Sequence, residues 1–457
     1  MPTIDRDHLA ELLRREQETY RSEHPKARDL MGSAGHLFGG VPMTWMGKWS
    51  GGFPIYVAEA RGNRITDVDG HQYLDFALGD TGAMAGHSPA ATVAAVARRY
   101  GELGGATTML PTAEGEEVGA QLAARFGLPR WSFTLSATDA NRWAIRLARL
   151  VTGRPKILTF AYCYHGSVDE AFAVPGPDGA AVSRPGNVGA PVPLELTTRV
   201  AEFNDLAGVE EQLAHGDVAV IVTEPALTNI GIVLPEPGFL EGLRELATRY
   251  GALLLIDETH TFSAGWGGAT RAWHLRPDLV VIGKSIGGGI PCGAYGLSED
   301  VVRRVGEHSE ADLVDVGGVG GTLAGNPLSV AAMRATLADV LTPEAFDGMI
   351  ARATRYTEGI ARVIAEAGLP WSVVQLGARA EYRFAAPAPR TGSASAAAAD
   401  DELDEYLHLH LLNRGILLTP FHNMALMSPD TTDDDVDRHL GVFAEAVAEL
   451  VGVRTAA

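Results

Sequence analysis

Lys284 and Asp257 each close an unbroken apolar run. Leu253-Leu254-Leu255-Ile256 leads into Asp257-Glu258, and Leu279-Val280-Val281-Ile282-Gly283 leads into Lys284. Both runs are too short to span a membrane. With turn residues at their ends they read as strands buried on both faces of a parallel sheet. The two ionisable groups then stand at carboxyl ends of strands, the edge at which open α/β sheets bind ligands. A primary amine there can condense with an aldehyde, and a carboxylate can keep a pyridine nitrogen protonated so that the ring withdraws electrons. The pair therefore points to pyridoxal phosphate chemistry. Taken singly, either charge is more simply a solvated loop residue.

Other strand ends carry compatible groups. Ser136-Ala137-Thr138 lies between a strand that ends at Leu135 and a helix that begins near Asn141. Small and hydroxylic residues at a helix start leave backbone N–H groups for an anion, although the same residues serve as an ordinary N-cap. Tyr162-Cys163-Tyr164-His165-Gly166 follows the strand ending at Phe160, and an aromatic there can stack on a flat ring. Glu224 ends a further strand. Neither glycine cluster, Gly287-Gly288-Gly289 or Gly317 to Gly321, has the dinucleotide-binding spacing, and there is no P-loop. That weakens an oxidoreductase reading, and a scaffold protein has no need of Asp257, Tyr164 and Lys284 together.

These groups need a large frame. A chain of 457 residues with 46% hydrophobic and 21% charged content is a globular protein of more than one domain. Strands are expected at Trp131 to Leu135, Lys156 to Phe160, Val218 to Thr223, Ala252 to Ile256, Leu279 to Ile282 and Gly293 to Leu297. Helices at Asn141 to Val151 and Gly238 to Tyr250 alternate with them. Alternation of this kind predicts an α/β domain with a mostly parallel sheet. Residues 1–85 and 331–457 are expected to form a smaller α+β domain around a large domain at 86–330. Within the first segment, Asp7 to Tyr20 reads as an amphipathic helix and Ile55 to Asp75 as an antiparallel meander. The Ala, Pro, Ser and Gly of Ala385 to Asp401 read as a surface loop. A net charge of -20 argues against nucleic acid. Only Cys163 and Cys292 occur, so no disulfide framework or metal site is expected, and the N-terminus lacks the order of a signal peptide. A cytoplasmic protein without membrane spans is the expectation.

The motifs in order resemble the class III, fold type I aminotransferases. They are Asp-Gly-x-x-Tyr-Leu-Asp at Asp69, Ser-Ala-Thr-Asp-Ala at Ser136, Tyr-His-Gly at Tyr164, Glu-Pro at Glu224, Ile-Asp-Glu-Thr at Ile256, Gly-Lys-x-x-Gly-Gly-Gly at Gly283 and Gly-Gly-Thr-x-x-Gly-Asn-Pro at Gly320. The resemblance covers roughly residues 36 to 450 and is nearest to glutamate-1-semialdehyde aminomutase and the amine and β-amino acid transaminases. It implies the pyridoxal phosphate transferase fold type I and an obligate homodimer. Lys284 would be the Schiff-base lysine and proton shuttle, Asp257 the partner of the pyridinium nitrogen, and Tyr164 the ring stacked on the cofactor. Ser136, Ala137 and Thr138 would hold the phosphate, with Thr322 completing the cup from the neighbouring subunit. Glu224 would support the cofactor's hydroxyl side and Thr259 would lie against the other ring face. His165 is read as a structural histidine at least as readily as a catalytic one.

Departures from the family pattern bear on substrate. After Gly39-Gly40-Val41, where relatives place an arginine that grips a carboxylate, this chain has Pro42-Met43-Thr44-Trp45-Met46-Gly47-Lys48-Trp49. Trp and Met cannot replace an arginine fork. Trp45, Met46 and Phe421, with His165, are therefore expected to border an apolar substrate pocket, and Lys48 is a candidate displaced cation. The expected reaction is ping-pong transamination from an amine or amino acid donor to a carbonyl acceptor. The alternative is an intramolecular amino transfer of the aminomutase kind.

Overall fold

The computed structural model describes residues 4–189, 192–308 and 321–452, which fall into two compact units. The larger comprises residues 89–347 with 389–397, and the smaller 1–88, 348–388 and 398–457.

The larger unit is built on a seven-stranded sheet. Its strands are β1 (Arg130–Thr134), β2 (Lys156–Phe160), β3 (Thr198–Ala201), β4 (Val218–Thr223), β5 (Leu253–Asp257), β6 (Leu279–Gly283) and β7 (Gly293–Leu297). Their spatial order is β1-β7-β6-β5-β4-β2-β3. Every pairing from β6 across to β3 is parallel, and only β7 runs antiparallel to its neighbours β6 and β1. Every residue of β4, β5 and β6 is buried. That is why these strands are continuous apolar runs instead of alternating ones. Each fully buried Val, Leu or Ile contributes about 1.5–3 kcal/mol to the fold.

Helix α1 (Ala137–Thr152) follows β1 and packs Ala140, Ala144, Ile145 and Ala148 into the same core as Ile157, Val220, Leu255 and Val281. Helix α2 (Phe239–Tyr250) runs between β4 and β5. In register, Asp257 lies opposite Val281, so β6 carries Gly283 two residues, or about 7 Å, beyond the end of β5. The expected α/β architecture is therefore present. Two features depart from expectation. Edge strand β3 was not anticipated. The stretch expected as a loop contains a helix at Gly392–Ala397 that belongs to the larger unit. Gly392 lies so close to the carbonyl of Ala161 that a Cβ would come within 2.1 Å of its oxygen. Glycine is what lets the segment seat there.

The smaller unit has two sheets. Val57–Arg61, Arg64–Asp67 and Gln72–Asp75 form the antiparallel meander, to which Ile416–Leu417 adds in parallel. Ser372–Leu376, Arg379–Arg383 and Met424–Leu426 form the other. The N-terminal helix spans Arg6–Glu23, capped by the Asp5 carboxylate, and packs against the helix Asp401–Leu412. Its Glu16 is buried and pairs with Arg414 at 3.1 Å. Among the described residues no helix is long and apolar enough to cross a membrane.

Candidate active site

The carboxyl edge of the large sheet gathers a buried network around Asp257. Its Oδ2 lies 2.9 Å from His165 Nδ1 and accepts from Asn141 Nδ2 at 2.8 Å. Its Oδ1 accepts from the Thr259 hydroxyl at 2.6 Å and the Thr259 N–H at 3.0 Å. Burial works to neutralise this carboxyl, but the His165, Thr259 and Asn141 contacts outweigh it and hold Asp257 below its ordinary range. Asp257 is thus a carboxylate held ionised with almost no water around it. For His165 burial opposes charge, and the Cys163 sulfur and Asp257 together lift the imidazole well above its usual value.

Each partner comes from a different element, which is why sheet order decides the network. His165 follows β2, Asn141 sits in the first turns of α1, and Thr259 lies just past β5. Asn141 belongs to the network through its place on α1, yet its residue type alone carries no such signal. Glu224, at the end of β4, accepts the Tyr164 backbone N–H at 3.2 Å and the Thr228 hydroxyl. Burial pushes its carboxyl up, against the opposing influence of His165, so two nearby acids favour opposite protonation states. The Tyr164 ring lies 6.3 Å from that of Phe172.

The N-terminus of α1 is the second part of the site. Ser136 caps it, its hydroxyl accepting the Asp139 N–H at 3.2 Å, and the Thr138 hydroxyl accepts the Ser167 N–H at 3.1 Å. A 16-residue helix presents partial positive charge and free N–H groups at this end. The turn sits directly on the sheet because β6 and β7 offer no side chain beneath it. A Cβ on Gly283 would come within 2.9 Å of the Ala137 nitrogen, and one on Gly293 within 2.5 Å of the Ser136 oxygen.

Lys284 is the third part. It leaves β6 with φ of +51°, in the left-handed region, and opens a short 3-10 turn to Gly287. Its Nζ lies 2.9 Å from His260 Nε2. His260, three residues beyond Asp257, was not among the residues expected at the site. Thr322 is exposed and lines an open hollow with Met109, Leu110 and Asn326. Trp45 and Phe421 belong to the smaller unit, where their rings lie 4.5 Å apart, while Met46 and Lys48 are exposed.

Known proteins share this fold. The family model described as aminotransferase class-III matches residues 45–447. A glutamate-1-semialdehyde 2,1-aminomutase of Desulfitobacterium hafniense is 36% identical over 403 residues, covering 87% of this chain and 91% of its own length. The crystal structure of a glutamate-1-semialdehyde-aminomutase from Pseudomonas aeruginosa superposes with a TM-score of 0.94 at 45% identity, covering 98% of this chain and 99% of that one. A variant of that enzyme has been solved in complex with PMP. An omega-transaminase from Sphaerobacter thermophilus follows at a TM-score of 0.84 and 31% identity, covering 93% and 98%. With its fold, its strand-end residues and its relatives in agreement, this chain belongs to the class III, pyridoxal phosphate-dependent aminotransferases.

Proposed function

We propose that this enzyme moves an amino group within one small molecule, in the manner of a glutamate-1-semialdehyde 2,1-aminomutase. The likeness over nearly the full chain carries the reading, at 36% identity to one protein of that name and 45% to another. The sequence alone ranks transamination between two molecules first, and the relatives reverse that order. Transamination stays as a second reading because Pro42 to Trp49 contains no arginine for a substrate carboxylate and an omega-transaminase is also a relative.

Pyridoxal phosphate, when bound, supplies an aldehyde that takes up amino groups and a ring that withdraws electrons from the adjoining carbon. The residues present fit it. In this reading Lys284 would hold the aldehyde and would serve as the carrier of a proton between two carbons. Asp257 would pair with the ring nitrogen, and its three neighbours hold it ionised for that task. Ser136 with the N–H groups of Ala137 and Thr138 receives the phosphate, at a helix start whose glycine-lined seat leaves the turn fixed. Tyr164, its backbone held by Glu224, would stack on the ring. Thr259 fixes Asp257 and would lie against the opposite ring face. Thr322, exposed in the single chain, completes the phosphate cup from a second subunit, so the working form is a homodimer. The two cysteines are buried and unbridged, in keeping with a cytoplasmic enzyme.

The test is to give the yellow holoenzyme glutamate-1-semialdehyde with no amino acceptor. The expected product is the isomer whose amino group has moved from C2 to C1. Turnover that appears only when an amine donor and a separate keto acid are added would return the assignment to transamination.

A further inference from the structure

Lys284 and His260 reach one point from adjacent parallel strands. β5 ends at Asp257, and three residues on His260 precedes the 3-10 turn Thr261–Ala264. β6 ends at Gly283, and Lys284 follows. Nε2 of His260 lies 2.9 Å from Nζ of Lys284, and the imidazole is only 7% exposed. The two acids beside His260 each have several hydrogen-bond partners. Asp257 is held by His165, Asn141 and Thr259. Glu258 accepts from the Thr261 hydroxyl and from the N–H groups of Ala269 and Thr270. An imidazole with its proton on Nδ1 is an acceptor at Nε2, and an ammonium is a donor only.

We propose that His260 is a positioning residue for the proton transfer: it accepts an N–H from Lys284 while that amine is proton-loaded, between collection from one carbon and delivery to another. This rests on the reading of Lys284 as the proton carrier. The proton balance is closed. Neutral Nζ takes H⁺ from a substrate C–H, and the electron pair stays on the substrate side, where the bound cofactor withdraws it. Nζ, now an ammonium, returns that proton to a second carbon. His260 ends each cycle with the protons it began with.

The chain has four lysines, Lys26, Lys48, Lys156 and Lys284, so one labelling experiment reads them all. Enzyme loaded with pyridoxamine phosphate, which leaves Lys284 unlinked, is treated with trace acetic anhydride near neutral pH and analysed by peptide mass spectrometry. With the other three lysines as internal references, Lys284 in His260→Phe is expected to label about tenfold faster than in wild type, because the amine loses the hydrogen-bond partner that His260 provides at 2.9 Å. His260→Gln, whose amide oxygen accepts an N–H, is expected to stay within about twofold of wild type. His260→Ala is expected to behave as His260→Phe and to revert when imidazole is added, which covers a phenylalanine variant that does not fold. The turnover rate falls in His260→Phe while KM holds. Equal labelling of Lys284 in wild type, His260→Phe and His260→Ala overturns the proposal, as does an equal rise in His260→Gln. The underlying reading fails separately: borohydride reduction of the pyridoxal phosphate form must fix the cofactor on Lys284, and a tag on another lysine refutes that assignment whatever His260 does.

Discussion

The imidazole of His165 and the carboxylate of Asp257 meet at 2.9 Å with both side chains buried. The contact keeps the acid ionised in a place where burial alone would neutralise it. Replacing His165 with leucine removes one donor and lets the Asp257 carboxyl rise. A hydrogen bond to a charged group is worth about 1.5–3 kcal/mol, so cofactor affinity is expected to fall about 10- to 100-fold. Absorbance titration with pyridoxal phosphate measures it, and an unchanged affinity would remove His165 from the site.

Changes within the network should rank by what each leaves uncompensated. In the proposed role of Asp257, Asp257→Asn would deprive the cofactor nitrogen of its charge partner, and breaking a buried pair costs about 3–5 kcal/mol, so turnover should drop by more than about 100-fold. Thr259→Val keeps the backbone donor to Oδ1 and loses only the hydroxyl, so a drop of about tenfold or less is expected. Steady-state kinetics on both variants test the order.

Gly293→Ala probes the seat of α1. The added methyl would meet the Ser136 carbonyl carbon at 2.6 Å as well as its oxygen, so the first turn of the helix must shift. Overpacking of this kind costs about 1–3 kcal/mol of stability. Phosphate affinity should fall with it. Denaturant unfolding and cofactor titration on the same variant should move together, and a stable variant with normal affinity would contradict the proposed cradle.

Acid stability should depend on a histidine far from the chemistry in sequence. His439 is fully buried between the rings of Phe76 and Tyr356, each 4.9 Å away and edge-on, and burial pushes its imidazole down to about 3. Unfolded, it titrates near 6.5, so between the two values the unfolded chain binds the extra proton. Stability is therefore full above about pH 6.5 and is lost as pH falls toward 3, by about 1.4 kcal/mol per pH unit. His439→Leu should flatten that slope by one proton in urea titrations run across the window. An unaltered slope would show that the acid sensitivity arises elsewhere.

Much of the frame was legible because its strands are buried on both faces. The runs ending in Asp257 and Lys284 are unbroken for that reason, and their acid and amine follow at once. Strand β3 was not legible: Thr198-Arg199-Val200-Ala201 is a four-residue edge strand with a partly exposed arginine and pairs only with β2. The helix at Gly392–Ala397 hid in a composition that resembles a linker, because its place depends on one close approach to Ala161 and not on apolar periodicity. The partners of Asp257 were partly hidden for a related reason. His165 and Asn141 reach it only through the strand order β5-β4-β2 and the placement of α1, which no local pattern encodes. His260 was adjacent in sequence, but the turn that aims it at Lys284 was not readable from residue types.

The left-handed backbone at Lys284 sets chemistry and folding against each other at a single position. A side chain there costs about 1–2 kcal/mol relative to glycine. Selection for durability alone would erase the amine, so an inactive Lys284→Gly protein is expected to melt above both Lys284→Ala and the wild type. The residue to which we assign the reactivity is one that the architecture, left to itself, would discard.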